Sequence, residues 1–139
     1  MSGWVLDSSL AMAWGLPDET ASRAENFFER ITDKDELWVP ALWWYEISNA
    51  LVVAQRRKRV SEAESLRFIE LLRGLPLETD FSSGTEVVWR YRTLAQEHAL
   101  SAYDAAYLEL AGRRELALAS LDGPLVHAAR KAGVRVLET

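Results

Sequence analysis

Cysteine is absent from the 139 residues, which removes disulfides, iron–sulfur clusters and thiolate zinc sites and suits a reducing compartment. Histidine occurs only as His98 and His127, both read as surface or packing residues. The sequence contains neither a Gly-x-Ser-x-Gly elbow nor a glycine-rich loop to cradle a nucleotide. No apolar stretch approaches the roughly 18 residues needed to cross a membrane. No basic, apolar, small-residue export pattern opens the sequence. A cytoplasmic protein without membrane contact is expected. Internal repeats, low-complexity tracts and linkers are also missing, so residues 1–139 are read as one domain, long enough to bury a full core.

What remains is an ordinary globular composition, 49% hydrophobic and 27% charged. Short apolar runs alternate with helical patterns, the signature of a parallel sheet with helices on its faces. Strands are expected near Trp4–Leu6, Leu37–Val39, Leu75–Glu78, Leu116–Ala119 and Val134–Leu137. Helices are expected near Ser9–Gly15, Glu19–Ile31, Ala41–Arg57, Ser61–Arg73, Ser83–His98, Tyr103–Arg113 and Pro124–Ala132. Ser61-Glu62-Ala63-Glu64 has capping-box spacing, Pro40 suits the opening of a helix, and Gly74, Gly112 and Gly133 fall near helix ends.

Within this pattern four carboxylates stand out: Asp7, Glu46, Asp104 and Asp122. Asp7 follows the apolar run Trp4-Val5-Leu6, and Asp122 follows Leu116-Ala117-Leu118-Ala119. In open α/β sheets, ligands bind at the carboxyl ends of the strands near the point where strand order reverses. If the two strands are neighbours, these aspartates share one rim. Glu46 is the only charged residue between Ala41 and Ala54, and Asn49, three residues on, shares its helix face, making one polar spot on a helix expected to be buried. Asp104 lies in the apolar segment Ala102 to Tyr107.

Each has a local alternative. Asp7 and Asp122 are also good helix N-caps, with Ser9 able to take over the first cap. Ser101-Ala102-Tyr103-Asp104 is also a capping pattern, and Glu46 could pair with an arginine. Yet carboxylates brought together repel by roughly 4 kcal/mol per close pair at an effective dielectric of 20, and a divalent cation relieves that. An all-oxygen donor set selects Mg²⁺ or Mn²⁺ over zinc, and hard cations held by carboxylates suit phosphodiester hydrolysis.

The ordered blocks Leu6-Asp7-Ser8-Ser9 with Trp14, Leu16 and Pro17; Glu46-Ile47-Ser48-Asn49-Ala50-Leu51; Ser101 to Tyr107; and Ala119-Ser120-Leu121-Asp122 with Leu125, Ala128, Ala129 and Gly133-Val134 resemble the PIN-domain family, specifically the VapC-like toxins of bacterial toxin–antitoxin pairs. The resemblance runs from Val5 to about Val136. It implies a three-layer α/β/α sandwich with a mostly parallel sheet. It also implies Mg²⁺- or Mn²⁺-dependent endoribonuclease activity, a homodimer and a cognate antitoxin. The family's acidic ligand positions carry over onto Asp7, Glu46, Asp104 and Asp122, its hydroxyl near the site onto Ser120, and its helix asparagine onto Asn49. Relatives often carry a basic residue where this chain has Ala13, which puts one local phosphate contact in doubt. Crowding of the carboxylates implies raised pKa values and a steep loss of activity below about pH 6.

The net charge of −5 falls to −1 once the four carboxylates are set aside, so it does not speak against RNA. Arg56-Arg57-Lys58-Arg59 is the densest basic run, with Arg113-Arg114 and Arg130-Lys131 smaller; all could track a phosphate backbone or simply sit at helix C-termini. Trp43, Trp44 and Tyr45 fan over about 200° of a helix. With Trp14 and Trp38 they are expected to form an exposed aromatic patch for a second copy or an antitoxin segment. A receiver domain would need an acidic pair after the first strand, and a haloacid-dehalogenase-type phosphatase a second aspartate at Ser9; neither is present. A catalytically silent PIN-like binding module, or DNA in place of RNA, remains as the alternative.

Overall fold

The computed structural model describes residues 3–17 and 22–138. Four strands, β1 (Gly3–Leu6), β2 (Glu36–Pro40), β3 (Leu77–Asp80) and β4 (Ala117–Ala119), form one all-parallel sheet in the order β3-β2-β1-β4. Among the described residues seven helices flank it: α1 (Ser8–Gly15), α2 (Ser22–Arg30), α3 (Leu42–Arg56), α4 (Glu62–Arg73), α5 (Thr85–His98), α6 (Ala102–Arg114) and α7 (Gly123–Lys131). α1 touches α2 and α3, and α3 touches α4. By contrast α6 lies across β1, β2 and β4 with α5 packed outside it. No helix among the described residues is long and apolar enough to cross a membrane.

The parallel sheet with helices on its faces expected from the alternating pattern, and the α/β/α sandwich implied by the resemblance, are therefore present. The expected fifth strand, Val134–Leu137, is reduced to a single parallel bridge between Leu118 and Val136. Only Leu118 N to Arg135 O (2.8 Å) and Leu137 N to Leu118 O (2.9 Å) hold it. β4 is three residues long and offers too little backbone for a longer ladder. The third strand begins two residues later than expected because Pro76 lacks the N–H a ladder needs. The first part of the helix expected from Glu19 lies outside the described residues.

Two burial expectations are corrected. α3 is a one-sided helix, buried at Trp43, Ile47, Leu51 and Ala54 while Trp44, Tyr45, Ser48 and Asn49 are exposed. The enclosed helix is α6, buried continuously from Ala105 to Ala111. The aromatic patch is accordingly smaller than expected. Trp43 is fully buried, Trp14 stacks on Phe28 at 4.2 Å, and the Arg114 guanidinium covers Trp38 at 3.6 Å. Trp44 and Tyr45 stay exposed.

Local signals mostly hold. The Ser61–Glu64 capping box forms in full, and Pro40 ends β2 just before α3. Gly112 lies in the last turn of α6, its carbonyl accepting from the C-cap Glu115 amide. Gly15, the last residue of α1, exists for packing: a Cβ there would lie 2.1 Å from Cδ1 of the fully buried Phe68. Gly15→Ala should therefore destabilise the fold by about 1–3 kcal/mol through overpacking, read as a lower urea midpoint at unchanged slope.

Candidate metal centre

β1 and β4 are neighbours with Leu6 opposite Ala119. The chain runs β1, β2, β3 in one direction across the sheet and then returns to the far side of β1. Strand order therefore reverses between β1 and β4, and Asp7 and Asp122 follow the carboxyl ends of these two strands. The Asp7 amide donates to the Ala119 carbonyl at 2.9 Å, which carries the pairing one residue past the strands.

The hydroxyls around this rim decide how the carboxylates are held. Ser9 Oγ (2.8 Å) and Ser120 Oγ (2.6 Å) both donate to Oδ2 of buried Asp7, so Asp7 makes no cap bond to α1. Ser120 Oγ in turn accepts from the Asp122 amide at 3.0 Å. Glu46, one turn into α3, accepts on Oε1 from Ser8 Oγ at 3.2 Å and from the Tyr107 hydroxyl. These bonds fall on one oxygen of each carboxylate and leave Asp7 Oδ1 and Glu46 Oε2 outside them. Asp104 has its amide capped by Ser101 Oγ at 3.1 Å, and its carboxylate makes no reciprocal cap. Asp122 caps α7, Oδ1 accepting from the Leu125 amide at 3.5 Å.

Electrostatics tie the four together. Burial raises the Asp7 carboxyl above its ordinary value, against the Ser120 and Ser9 hydroxyls, and the Asp122 charge raises it further. Burial also raises Glu46, opposed by Tyr107 and Ser8 and helped by the Asp7 charge. Asp104 is pushed up to about 6, first by burial and then by the charges of Asp122, Asp7 and Glu46. Asp104 thus feels all three of the others. Burial and the acidic neighbours Asp7 and Glu46 push the Tyr107 hydroxyl upward, keeping it protonated as a donor.

Among the described residues no three acidic or histidine side chains are placed close enough to hold a cation jointly. The carboxylates form a coupled rim instead of a closed cage. The donor chemistry nonetheless suits a hard divalent cation. Every donor is an oxygen, and the hydroxyls that hold Asp7 and Glu46 are neutral, so a divalent cation would offset the crowded charge.

The other expected residues divide. Ser9 and Ser120 are in the rim. Asn49 is exposed on α3 and takes no part in the hydrogen bonds above. Arg56, Arg57, Lys58 and Arg59 are exposed at the far end of α3, about 15 Å along the helix from Glu46. Arg113 is committed elsewhere: it pairs with Asp80 at 3.0 Å and Glu109 at 2.8 Å, while Arg90 holds Glu109 at 3.2 Å. Arg130 pairs with Glu138 at 3.6 Å.

Two rim residues escape sequence reasoning, Ser8 and Tyr107. Tyr107 carried a usable signal, since it lies three residues after Asp104 and shares its helix face. Ser8 had none beyond adjacency to Asp7.

The raised Asp104 value has a stability consequence with a definite sign. A carboxyl whose folded pKa is raised holds its proton more tightly when folded, so it costs stability as pH rises from its ordinary 3.8 through about 6. Asp104→Asn removes that cost. At pH 7 it should stabilise by about 1 kcal/mol after allowing for solvent screening, a Tm rise of about 3 °C. Melting curves in metal-free buffer should show the gain shrinking as pH falls from 6 toward 4.

The PIN domain family model matches residues 4–131. Ribonuclease VapC3 from Pyrobaculum aerophilum is 31% identical over 121 residues, covering 87% of this chain and 90% of the relative. The crystal structure of PAE2754 from Pyrobaculum aerophilum aligns with a TM-score of 0.72 at 24% identity, covering 98% of this chain and 84% of that one. A toxin–antitoxin complex from Klebsiella pneumoniae aligns with a TM-score of 0.57 at 17% identity, covering 85% of each chain. With nearly its whole length matched by the family model, and with this sheet order, the chain belongs to the PIN domain family.

Proposed function

We propose that this chain is a metal-dependent endoribonuclease that hydrolyses RNA phosphodiester bonds, acting in the cytoplasm as the toxin of a toxin–antitoxin pair. Asp7, Glu46, Asp104 and Asp122 are its metal ligands, with Ser9 and Ser120 in support. The observation that carries the proposal is the rim at the β1/β4 reversal, where Ser120 links the Asp7 carboxylate to the Asp122 amide and Ser8 and Tyr107 hold Glu46 beside it. The name of the relative, Ribonuclease VapC3, supports the substrate class.

When bound, Mg²⁺ or Mn²⁺ would lower the pKa of a water and offset charge on the phosphate oxygens. Ser9 and Ser120 orient Asp7, while Ser8 and Tyr107 orient Glu46. Each pair donates to one oxygen of its carboxylate without neutralising it. The buried floor of Asp7 and Ser8 keeps bulk water off one side of the site. Arg56, Arg57, Lys58 and Arg59 would meet RNA only away from the bond being cut.

An antitoxin partner draws support from the Klebsiella pneumoniae complex among the structural neighbours. Trp44 and Val52 on α3 and Leu66 and Leu71 on α4 are exposed apolar side chains. Between these helices lies a hollow of about 250 Å³ lined by Trp44, Ile47, Leu51, Ile69 and Leu72. A face of this kind suits an antitoxin segment or a second copy of the chain in a homodimer.

The deciding experiment incubates the purified chain with a mixed RNA pool in Mg²⁺ or Mn²⁺ against EDTA, beside Asp7→Asn. Cleavage should need the metal and fall at least about 100-fold in the variant. A folded chain that cleaves nothing under either metal would favour a silent RNA- or protein-binding module. The rate should also drop steeply below about pH 6, because the raised values of Asp7, Glu46 and Asp104 mean that protons compete with the cation there. A flat profile from pH 5 to 7 would count against the four-carboxylate site.

A further inference from the structure

Beside the carboxylate rim lies a cavity of about 290 Å³ whose walls include Pro40, Leu42, Tyr91 and Tyr103, with Asp80 and Ser82 as its polar members. Its position follows from the elements that make it. Leu42 opens α3 one turn before Glu46, and Tyr103 directly precedes Asp104 on α6. Asp80 ends β3, so the cavity occupies the same carboxyl edge of the sheet as the rim.

Its chemistry is asymmetric. The Tyr103 side of the mouth is open, with that residue 64% exposed and the neighbouring Phe81 79% exposed. Large exposed aromatics at a site edge are costly for solubility and are suited to stacking on flat ligands. At the polar end, Asp80 is buried and Arg113 donates to its Oδ2 at 3.0 Å. Burial pushes the Asp80 carboxyl up, but Arg113 and Ser82 outweigh it and hold the group below its ordinary value. Asp80 is therefore ionised and can only accept hydrogen bonds. The volume is at the low end for a ligand pocket and suits one planar ring system.

We propose that this cavity receives the single nucleobase next to the scissile phosphate, with the Tyr103 ring as its stacking face and Asp80 accepting from its amino edge. This rests on the nuclease reading and adds a specificity element to it. A carboxylate acceptor favours bases that present an exocyclic amine, as adenine, cytosine and guanine do. It disfavours uracil, which turns carbonyl oxygens toward it.

The test uses the full-length chain as Asp7→Asn, without metal, and fluorescence anisotropy of labelled single-stranded oligo(A) and oligo(U). Oligo(A) should bind about tenfold more tightly. Adding Tyr103→Ala should erase about tenfold in affinity for oligo(A) and with it the preference, whereas Tyr103→Phe should retain both, since the ring does the stacking. In the otherwise native chain, Tyr103→Ala should raise KM for the RNA pool more than it lowers kcat, and uridine should be depleted at one position flanking the cuts. Equal binding of the two oligomers, no binding of either, or indifference to Tyr103→Ala would each overturn the inference. Weakened antitoxin binding with RNA handling unchanged would give the cavity to the protein partner and overturn it too. The two readings separate cleanly: a wild type that cleaves nothing sinks the nuclease assignment, while Tyr103-dependent base preference would still uphold the pocket.

Discussion

The parallel pairing of β1 with β4 is the constraint on which the rest depends. It joins segments more than a hundred residues apart, and it continues past the strands through the Asp7 amide on the Ala119 carbonyl. Ser120 can then reach Asp7, and Asp122 can stand at the same edge. Because β2 and β3 lie on the opposite side of β1, the loops at this edge diverge and leave a crevice. α3 and α6 both begin at that edge, so Glu46 and Asp104 enter it from their first turns or close to them.

Holding anions at such an edge sets a problem that the fold answers twice, in different ways. At the rim, hydroxyl donors orient Asp7 and Glu46 without neutralising them. The charge persists at the rim. A short distance away, Asp80 and Glu109 are also buried, but Arg113 and Arg90 neutralise them. That second cluster ties β3 and α5 to the enclosed helix α6 and stands ready for no metal. Neutral donors leave the rim carboxylates their charge, whereas guanidinium groups offset that of Asp80 and Glu109.

Much of this was legible in the chain. Strand ends marked by Asp7 and Asp122, the capping box at Ser61 and the proline at position 40 are local chemistry, and local chemistry survives folding. Glu46 was conspicuous because nothing else charged lies near it in sequence. The reading went astray where burial depends on neighbours distant in sequence. Glu46 as the lone charge between Ala41 and Ala54 suggested a buried helix, yet one face of α3 meets solvent, and the alanine-rich α6 takes the central place because small side chains let it lie close on three strands. Val134–Leu137 has the composition of a strand and finds too short a partner to become one.

The sequence by itself determined the class of fold and the placing of Asp7, Glu46, Asp104 and Asp122 at strand ends or in apolar helical segments, since these follow from residue type and periodicity. The tertiary structure alone decided which strands are neighbours and hence that the four carboxylates feel one another. It also decided that Tyr107 and Ser8 steady Glu46, that Arg113 serves Asp80 and Glu109, and that the Arg56–Arg59 run lies at the far end of α3 from Glu46. The physical reason is common to all of these. Hydrogen bonds and charge coupling act over a few ångströms, and only the crossover of β4 to the far side of β1 brings such distant segments within that range.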